Sequence, residues 1–577
     1  VAEIQALVGV IKHAAGDNDG ALSAFRQAVP RLLAARRGQQ GNVGRWLLDS
    51  RLRLILETYL NILLDSRGAA GEAQAGPDAV REAFGIANSL RARSVDAAVA
   101  ATGARSRVSD PELAALVRRA QDAAEAIGSA MEMLRNLDAA AVDQKDPELV
   151  KAIRLKVDGL RTARLVLLAE IDRRFPEYAE LINPRPMTIE QARAVLRPGE
   201  ALVATYVGAE KTYVWAVAKE GEMAFATVDL GKTALAEMVS LLRTALDPGY
   251  VATIGDIPAF DATAAYDLYA KLLKPVEAGW KPATSLLVVA DGPLGQLPLS
   301  LLPSEPAEAT PGQELMFANY RNVRWLARTH AVTILPSVAS LKALRGTAAA
   351  GGRRSFAGFG DPFFSKSQQL AAGEAGPVQV ASREGSSRGM PVNLRSKPET
   401  RGVDSATLAL LPRLPDSRTE IKAIAEALGA DPARDVFLGR RAGEGRVKTM
   451  DLSLYQVISF ATHGLVPGDL NGLDQPALAF SHPQVTGEAD EDGLLTMGEI
   501  LGLKLNADWA VLSACNTASA DGAGAEAVSG LGRAFFYAGA RALLVSNWPV
   551  HSAATTELTT ELFSRQAADD NLSRAEA

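Results

Sequence analysis

Two short strings in the C-terminal quarter carry residue types that can do chemistry. Ile458-Ser459-Phe460-Ala461-Thr462-His463-Gly464 is an apolar run of strand length that ends on an imidazole. Val511-Leu512-Ser513-Ala514-Cys515-Asn516 is a second such run, and it ends on a thiol. The two side chains are 52 residues apart; Cys515 is the only cysteine of the chain and His463 one of five histidines. A thiol and an imidazole at the ends of consecutive strands make a nucleophile–base pair, whose reaction is acyl transfer from a peptide. Taken singly, each has a plainer reading. A cysteine after small apolar residues is usually an inert core thiol, and a lone histidine is usually a hydrogen-bonded structural group. The pairing, the small neighbours and the spacing together favour the reactive reading.

Such a pair has to be positioned by a sheet. Parallel strands of an open α/β sheet present their carboxyl ends along one edge, where ligands bind. Leu494–Leu503, between the two strings, has the spacing of a crossover helix, so His463 and Cys515 are expected to face each other across one groove. Gly464 allows close approach of a substrate backbone, and its amide, with that of Cys515, could hold the oxyanion of a tetrahedral intermediate.

The bulk properties set the frame. A chain of 577 residues is too long for one core, and three or four domains are expected. Charged residues at 22%, hydrophobic ones at 47% and a net charge of −6 describe an ordinary globular protein. They give no bulk reason to expect nucleic acid, although a local basic groove stays open. A single cysteine excludes an internal disulfide, so nothing suggests an oxidising compartment, and the cytoplasm is the default. No apolar run reaches the length of a membrane span. The chain opens on Val1 rather than methionine, so a missing signal peptide weighs little.

Residues 1–110 read as helical repeats. Gly16–Ala28 has the polar turn and the spaced small and aromatic residues of the second helix of a tetratricopeptide repeat. A comparable stretch, Ala79–Ala87, follows 59 residues later rather than the usual 34, so the repeat is degenerate or interrupted. Stacked helix pairs of this kind leave a groove that commonly holds a peptide; a plain helical bundle is the equal alternative. In residues 111–186, Leu113, Leu116, Ala120, Ala123, Ile127, Ala130, Leu134 and Leu137 recur by threes and fours. Ile153, Val157, Leu160, Leu167 and Ile171 do the same beyond a polar break, which predicts a long antiparallel helical hairpin with a packed seam. Asn183-Pro184-Arg185-Pro186 ends it.

After Met187 the pattern turns to strands at Ala201–Val207, Thr212–Val217, Met223–Val228, Ser285–Ala290, Val332–Leu335 and Ser355–Gly358, with helices at Ala234–Leu246 and Tyr266–Leu273 between them. Alternating elements predict a mainly parallel sheet covered on both faces. Residues 365–414, rich in Gly, Ser, Pro and Arg, read as a long mobile surface loop. Regular structure resumes at Glu420–Leu428 and runs through Ala540–Ser546.

Several of these strings resemble the CHAT domain, a caspase-like cysteine protease module: Thr462-His463-Gly464, Leu512–Ala518, Val528–Ala540, Leu543–Val550 and, upstream, Leu196–Leu202 and Ala290–Pro298. The resemblance spans about residues 187–577, and CHAT domains often follow tetratricopeptide repeats. It implies Cys515 as nucleophile, His463 as general base, and a peptide bound as an extra strand with Ser546-Asn547-Trp548 on one wall; Trp548 is equally readable as core. It also implies a first, inactive lobe over 187–345 and an active lobe over 346–577. Members commonly carry acidic residues where this chain has His551-Ser552, with His551 read as a surface residue. They usually add one more strand after the last helix, where this chain stops at Ala577. Asp469, Glu526 or a backbone carbonyl could orient His463.

Other signals are weaker. Gly358-Phe359-Gly360 and Gly530-Leu531-Gly532 read as turns rather than nucleotide loops, and no metal or cofactor motif is present. Glu488, Asp490, Glu491 and Asp492 read as a solvated acidic loop. The expectation is therefore a cytoplasmic cysteine endopeptidase that cleaves a specific protein substrate. A regulatory protein or ribonucleoprotein, engaged through the repeats, would activate it in a bacterial defence or cell-death pathway, with a CRISPR-associated protease docked on an RNA-guided effector as the alternative form. A non-enzymatic adaptor on a caspase-like scaffold is the other reading.

Overall fold

Strand-forming and helical strings segregate along this chain. In the computed structural model the described residues are 2–37, 45–65, 76–91, scattered positions between 112 and 134, 147–175, 187–247, 256–306, 318–345, 351–374, 408–465, 470, 473, 476–488, 490–513, 530–548, 552–569 and 572–577. They form two units: Val1–Ala192 with Ser337–Thr347, and Arg193–Pro336 with Ala348–Ala577.

The first unit is helical. Ala2–Ala14 packs along Asn18–Arg37, and Arg45–Asp65 along Pro77–Arg91. Gly9 lets the ring of Phe25 lie against its own backbone, since a Cβ there would meet Phe25 Cε1 at 2.8 Å. Phe25 and Phe84, the aromatic residues of the two repeat-like stretches, are both wholly buried, and Phe25 stacks on Tyr59 at 5.1 Å between centroids. Beyond them, Leu116 and Ala120 cluster with Leu167 and Ile171, while Ile127 and Leu134 cluster with Ile153 and Val157. Contacts that descend on one helix as they ascend on the other define an antiparallel seam along Pro147–Arg174.

In the second unit a first sheet has the order β3-β2-β1-β4-β5, built from β1 (Glu200–Val207), β2 (Thr212–Ala218), β3 (Met223–Val228), β4 (Ser285–Val289) and β5 (Ala331–Ile334). The expected mainly parallel arrangement is only half met here. β1–β2–β3 is an antiparallel meander, because the connections Gly208–Lys211 and Lys219–Glu222 are too short for crossovers, whereas β1, β4 and β5 run parallel.

The second sheet is parallel throughout, with order β13-β12-β8-β6-β7. Its strands are β6 (Arg354–Gly360), β7 (Val436–Leu438), β8 (Tyr455–Ala461), β12 (Trp509–Leu512) and β13 (Leu543–Val545). The helices Pro415–Ala427 and Ser552–Ala568 cover one face through Ile421, Ile424 and Phe563. Met497–Gly502 and Gly530–Ala538 cover the other through Ile500, Leu531 and Phe535. A small antiparallel sheet of β9 (Gly464–Leu465), β10 (Ala477–Ala479) and β11 (Leu494–Thr496) follows directly on β8.

Three sequence expectations change. Leu494–Leu503 is not one helix: Thr496 caps Met497–Gly502 in a reciprocal capping box with Glu499, so helix starts only there and Leu494–Thr496 pairs with β10. Gly358 and Gly360 are not turn residues but lie inside β6, where they admit the helix Pro415–Ala427. Within 365–414, Lys366–Glu374 is helical and residues 408–414 are packed against the sheet's rim; residues 375–407 lie outside the described residues.

The helix–strand approach at β6 is tight. A Cβ on Gly360 would stand 2.9 Å from Ile421 Cγ1 and 3.0 Å from the Ser417 carbonyl oxygen. Gly360→Ala is expected to cost about 1–3 kcal/mol through overpacking, read as a lowered urea midpoint. Gly373→Ala, in the helix Lys366–Glu374 with nothing within 4 Å of its Cβ, should be neutral or stabilising by about 1 kcal/mol.

Candidate active site

β8 ends at Ala461, and the chain then makes one short step, Thr462-His463, before pairing again as β9. That step is held from the side of β10. The Ala479 N–H donates to the His463 carbonyl at 2.9 Å, and the Thr462 hydroxyl donates to the Ala479 carbonyl. Hydrogen-bonded and non-bonded pairs alternate in an antiparallel ladder, so the neighbouring pair Gly464–Leu478 is non-bonded and the Gly464 N–H points away from β10.

The His463 side chain is buried, 2% exposed, with its ring 5.4 Å from the Phe364 ring. Nε2 lies 2.8 Å from the backbone carbonyl of Pro412. A carbonyl oxygen only accepts, so Nε2 carries the proton, and in the neutral ring Nδ1 is the basic nitrogen. The backbone carbonyl is thus the orienting group found here. Asp469 and Glu526 lie outside the described residues, as do Cys515 and His551.

The Pro412 carbonyl is itself fixed on both sides. The Gln368 amide donates to the Leu411 carbonyl at 2.7 Å, and the guanidinium of Arg413 makes two bonds to Asp361, at 2.7 and 2.8 Å. β12 runs beside β8 with Leu512 opposite Phe460, a register offset of 52 residues. At the exit of β12, the buried Ser513 hydroxyl donates to the buried Glu420 carboxylate on Pro415–Ala427. The helix that begins beside the His463 carbonyl partner therefore also grips the strand end that leads to Cys515.

On the neighbouring strand, Ser546, Asn547 and Trp548 follow β13 and are half-buried. The Asn547 carbonyl faces Arg243 Nη2 at 3.4 Å; Arg243 also donates to the Gln296 carbonyl at 2.7 Å, so the first sheet's region reaches this segment. The acidic loop is not simply solvated. Among the described residues Glu444, Glu491 and Glu499 bring carboxylate oxygens within 4.8 Å of one another, and the Lys448 ammonium is the cation they hold, at 3.1, 2.5 and 2.9 Å. Sequence reasoning did not find Asp361, Pro412, Glu420 or the Lys448 cluster. A carbonyl has no residue signature, and the only hint of Asp361 is an acidic residue at the end of an apolar strand.

A parallel sheet between two helical layers, with a carbonyl-anchored histidine at its carboxyl rim, defines a caspase-like α/β unit that follows a helical N-terminal region in the sequence. The CHAT domain family model matches residues 263–577, more than half of the chain, and the protein belongs to the CHAT domain family, within the caspase-like proteases. No curated protein matches the chain significantly. Among the described residues no helix is long and apolar enough to cross a membrane.

Burial, reinforced by the adjacent Glu491 carboxyl, pushes Glu444 up to about 8, against the pull of Lys448 and of the Gly493 amide. The folded state therefore holds this proton more tightly than the unfolded chain. The associated stability is complete below the ordinary glutamate value of 4.5 and is lost as pH rises towards 8. Glu499, shifted down chiefly by the Thr496 amide and Lys448 despite burial, acts in the opposite sense, its stability being lost on acidification. Glu444→Gln isolates the first effect. The variant should gain stability relative to the native chain as pH rises from 5 to 8, measured by urea unfolding at each pH.

Proposed function

We propose that this CHAT protein is a cytoplasmic cysteine endopeptidase acting on a specific protein substrate. In this reading Cys515 attacks the scissile carbonyl as thiolate. His463 takes the thiol proton on Nδ1 and returns it to the leaving amine, and the amides of Gly464 and Cys515 hold the oxyanion. The substrate backbone lies along Ser546-Asn547-Trp548 as an added strand. The lobe over 187–345 serves as the inactive partner, since the chain's single cysteine lies in the other. A regulatory protein or ribonucleoprotein engages the repeat-like region and releases activity in a bacterial defence or cell-death pathway.

One observation carries the proposal. The paired residues Phe460 and Leu512 are 52 positions apart, as are His463 and Cys515, so each reactive residue is the third beyond its member of the same pair. The Nε2–Pro412 bond supports it by leaving Nδ1 as the basic nitrogen.

The test is chemical. A thiol-directed peptide probe should label the activated protein at Cys515. Proteomes incubated with it should yield new fragments that are missing with Cys515→Ala, and His463→Ala should slow cleavage about 10²–10⁴-fold. Equal fragment patterns from native protein and Cys515→Ala would overturn the enzyme reading in favour of an adaptor.

A further inference from the structure

The geometry points to Asp361 as the positioning residue for His463, acting through Arg413 on the Pro412 carbonyl. The inference rests on the reading of His463 as the general base. Asp361 is fully buried at the end of β6, the strand beside β8, and its φ of +48° makes it the only non-glycine residue with positive φ among the described residues. An aspartate in left-handed backbone turns the chain sharply and aims its carboxylate away from the strand's own path.

That carboxylate gathers two guanidinium groups. Arg413 binds it through Nε and Nη2 at 2.7 and 2.8 Å, one contact to each oxygen. Arg418 binds Oδ2 through Nε at 2.8 Å and Nη2 at 2.7 Å. The Asp361 N–H donates to Ser417 Oγ at 2.7 Å, and its carbonyl accepts from Gly439 N–H at 3.1 Å. Arg413 also lies over the Phe363 ring at 5.0 Å. Arg413 follows Pro412 directly, so a fork fixed on a buried carboxylate fixes the peptide unit whose oxygen receives the His463 proton. Proline restrains φ on the other side of that unit. The two arginines differ in what they can do: Arg413 adjoins the carbonyl, whereas Arg418 lies inside the helix Pro415–Ala427 and shares only the carboxylate.

The arrangement assigns Asp361 no contact with substrate. Its effect is on which ring nitrogen of His463 carries the proton. Without the fork, Pro412 can rotate its carbonyl away, and the imidazole is released to mix its two neutral tautomers or to turn.

The experiment uses the full chain labelled with [15N]histidine. The ring resonances of His463 are assigned by their loss in His463→Gln, and the tautomer ratio is read from the two nitrogen shifts. The native protein should show one tautomer, protonated on Nε2. Asp361→Asn and Arg413→Gln should each produce a mixed population, and in a peptide-cleavage assay each should lower kcat at least tenfold with KM changed less than twofold. Arg418→Gln, which loses a bond to the same carboxylate but not the link to Pro412, should keep the native tautomer. Because Arg413 and Arg418 are both partly exposed, that comparison decides the matter even where Asp361→Asn does not fold. A native tautomer in folded Arg413→Gln, or equal disturbance by Arg413→Gln and Arg418→Gln, would overturn the inference. The tautomer is read without turnover, so a protein that cleaves nothing would defeat the protease reading while leaving this result intact.

Discussion

Everything at the rim of the parallel sheet depends on how closely one helix lies on one strand. Gly358 and Gly360 remove the side chains that would hold Pro415–Ala427 off β6, and Ile421 and the Ser417 carbonyl fill the space. This contact brings the Pro412 carbonyl within reach of His463, puts Ser417 against the Asp361 amide and sets Glu420 under Ser513. Three polar links, two from this helix and one from Pro412 just before it, thus converge on three neighbouring strand ends, those of β6, β8 and β12. Apolar packing from Ile421, Ile424 and Ala425 supplies the cohesion, and hydrogen bonds supply the alignment.

Buried acids in this domain are each matched rather than left to solvent. Asp361 has two guanidinium partners, Glu444 has Lys448 and the Gly493 amide, and Asp435 has Arg434 with the Tyr455 hydroxyl. Such groups add little net stability over a well-packed apolar core, because desolvation offsets most of the attraction. Their value lies in geometry. A leucine at 361 could fill volume, but it could not tell the chain at 412–418 which way to turn.

Much of this was legible beforehand. The apolar strings at 201–207, 212–217 and 223–228 are strands within a residue of the expected ends, since long runs of Val, Ala and Tyr bounded by Gly and charged residues admit little else. The adjacency of β8 and β12 was legible too, and their register, Phe460 opposite Leu512, has the same 52-residue offset as His463 and Cys515, because in adjacent parallel strands a register is a constant difference in residue number. Cys515 itself lies outside the described residues. The polar supports stayed hidden for a physical reason. His463 is oriented by a main-chain oxygen, which every residue possesses, and Asp361 and Glu420 gain their roles from a helix–strand contact that sequence distance conceals. The acidic string 488–492 reads as solvated until Lys448, 43 residues before Glu491, is brought beneath it by the fold.

The helix Val338–Arg345 belongs to the helical unit although it lies within the span matched by the CHAT family model. Val338 and Leu341 are buried there, 1% and 4% exposed. The boundary between the two units is therefore crossed three times by the main chain, and no single cut separates them. A chain cut after residue 192 would leave Val338–Arg345 in the C-terminal piece, apart from the rest of its unit. The two units are interleaved along the chain, so the helical unit is completed only after the first sheet of the other has been synthesised.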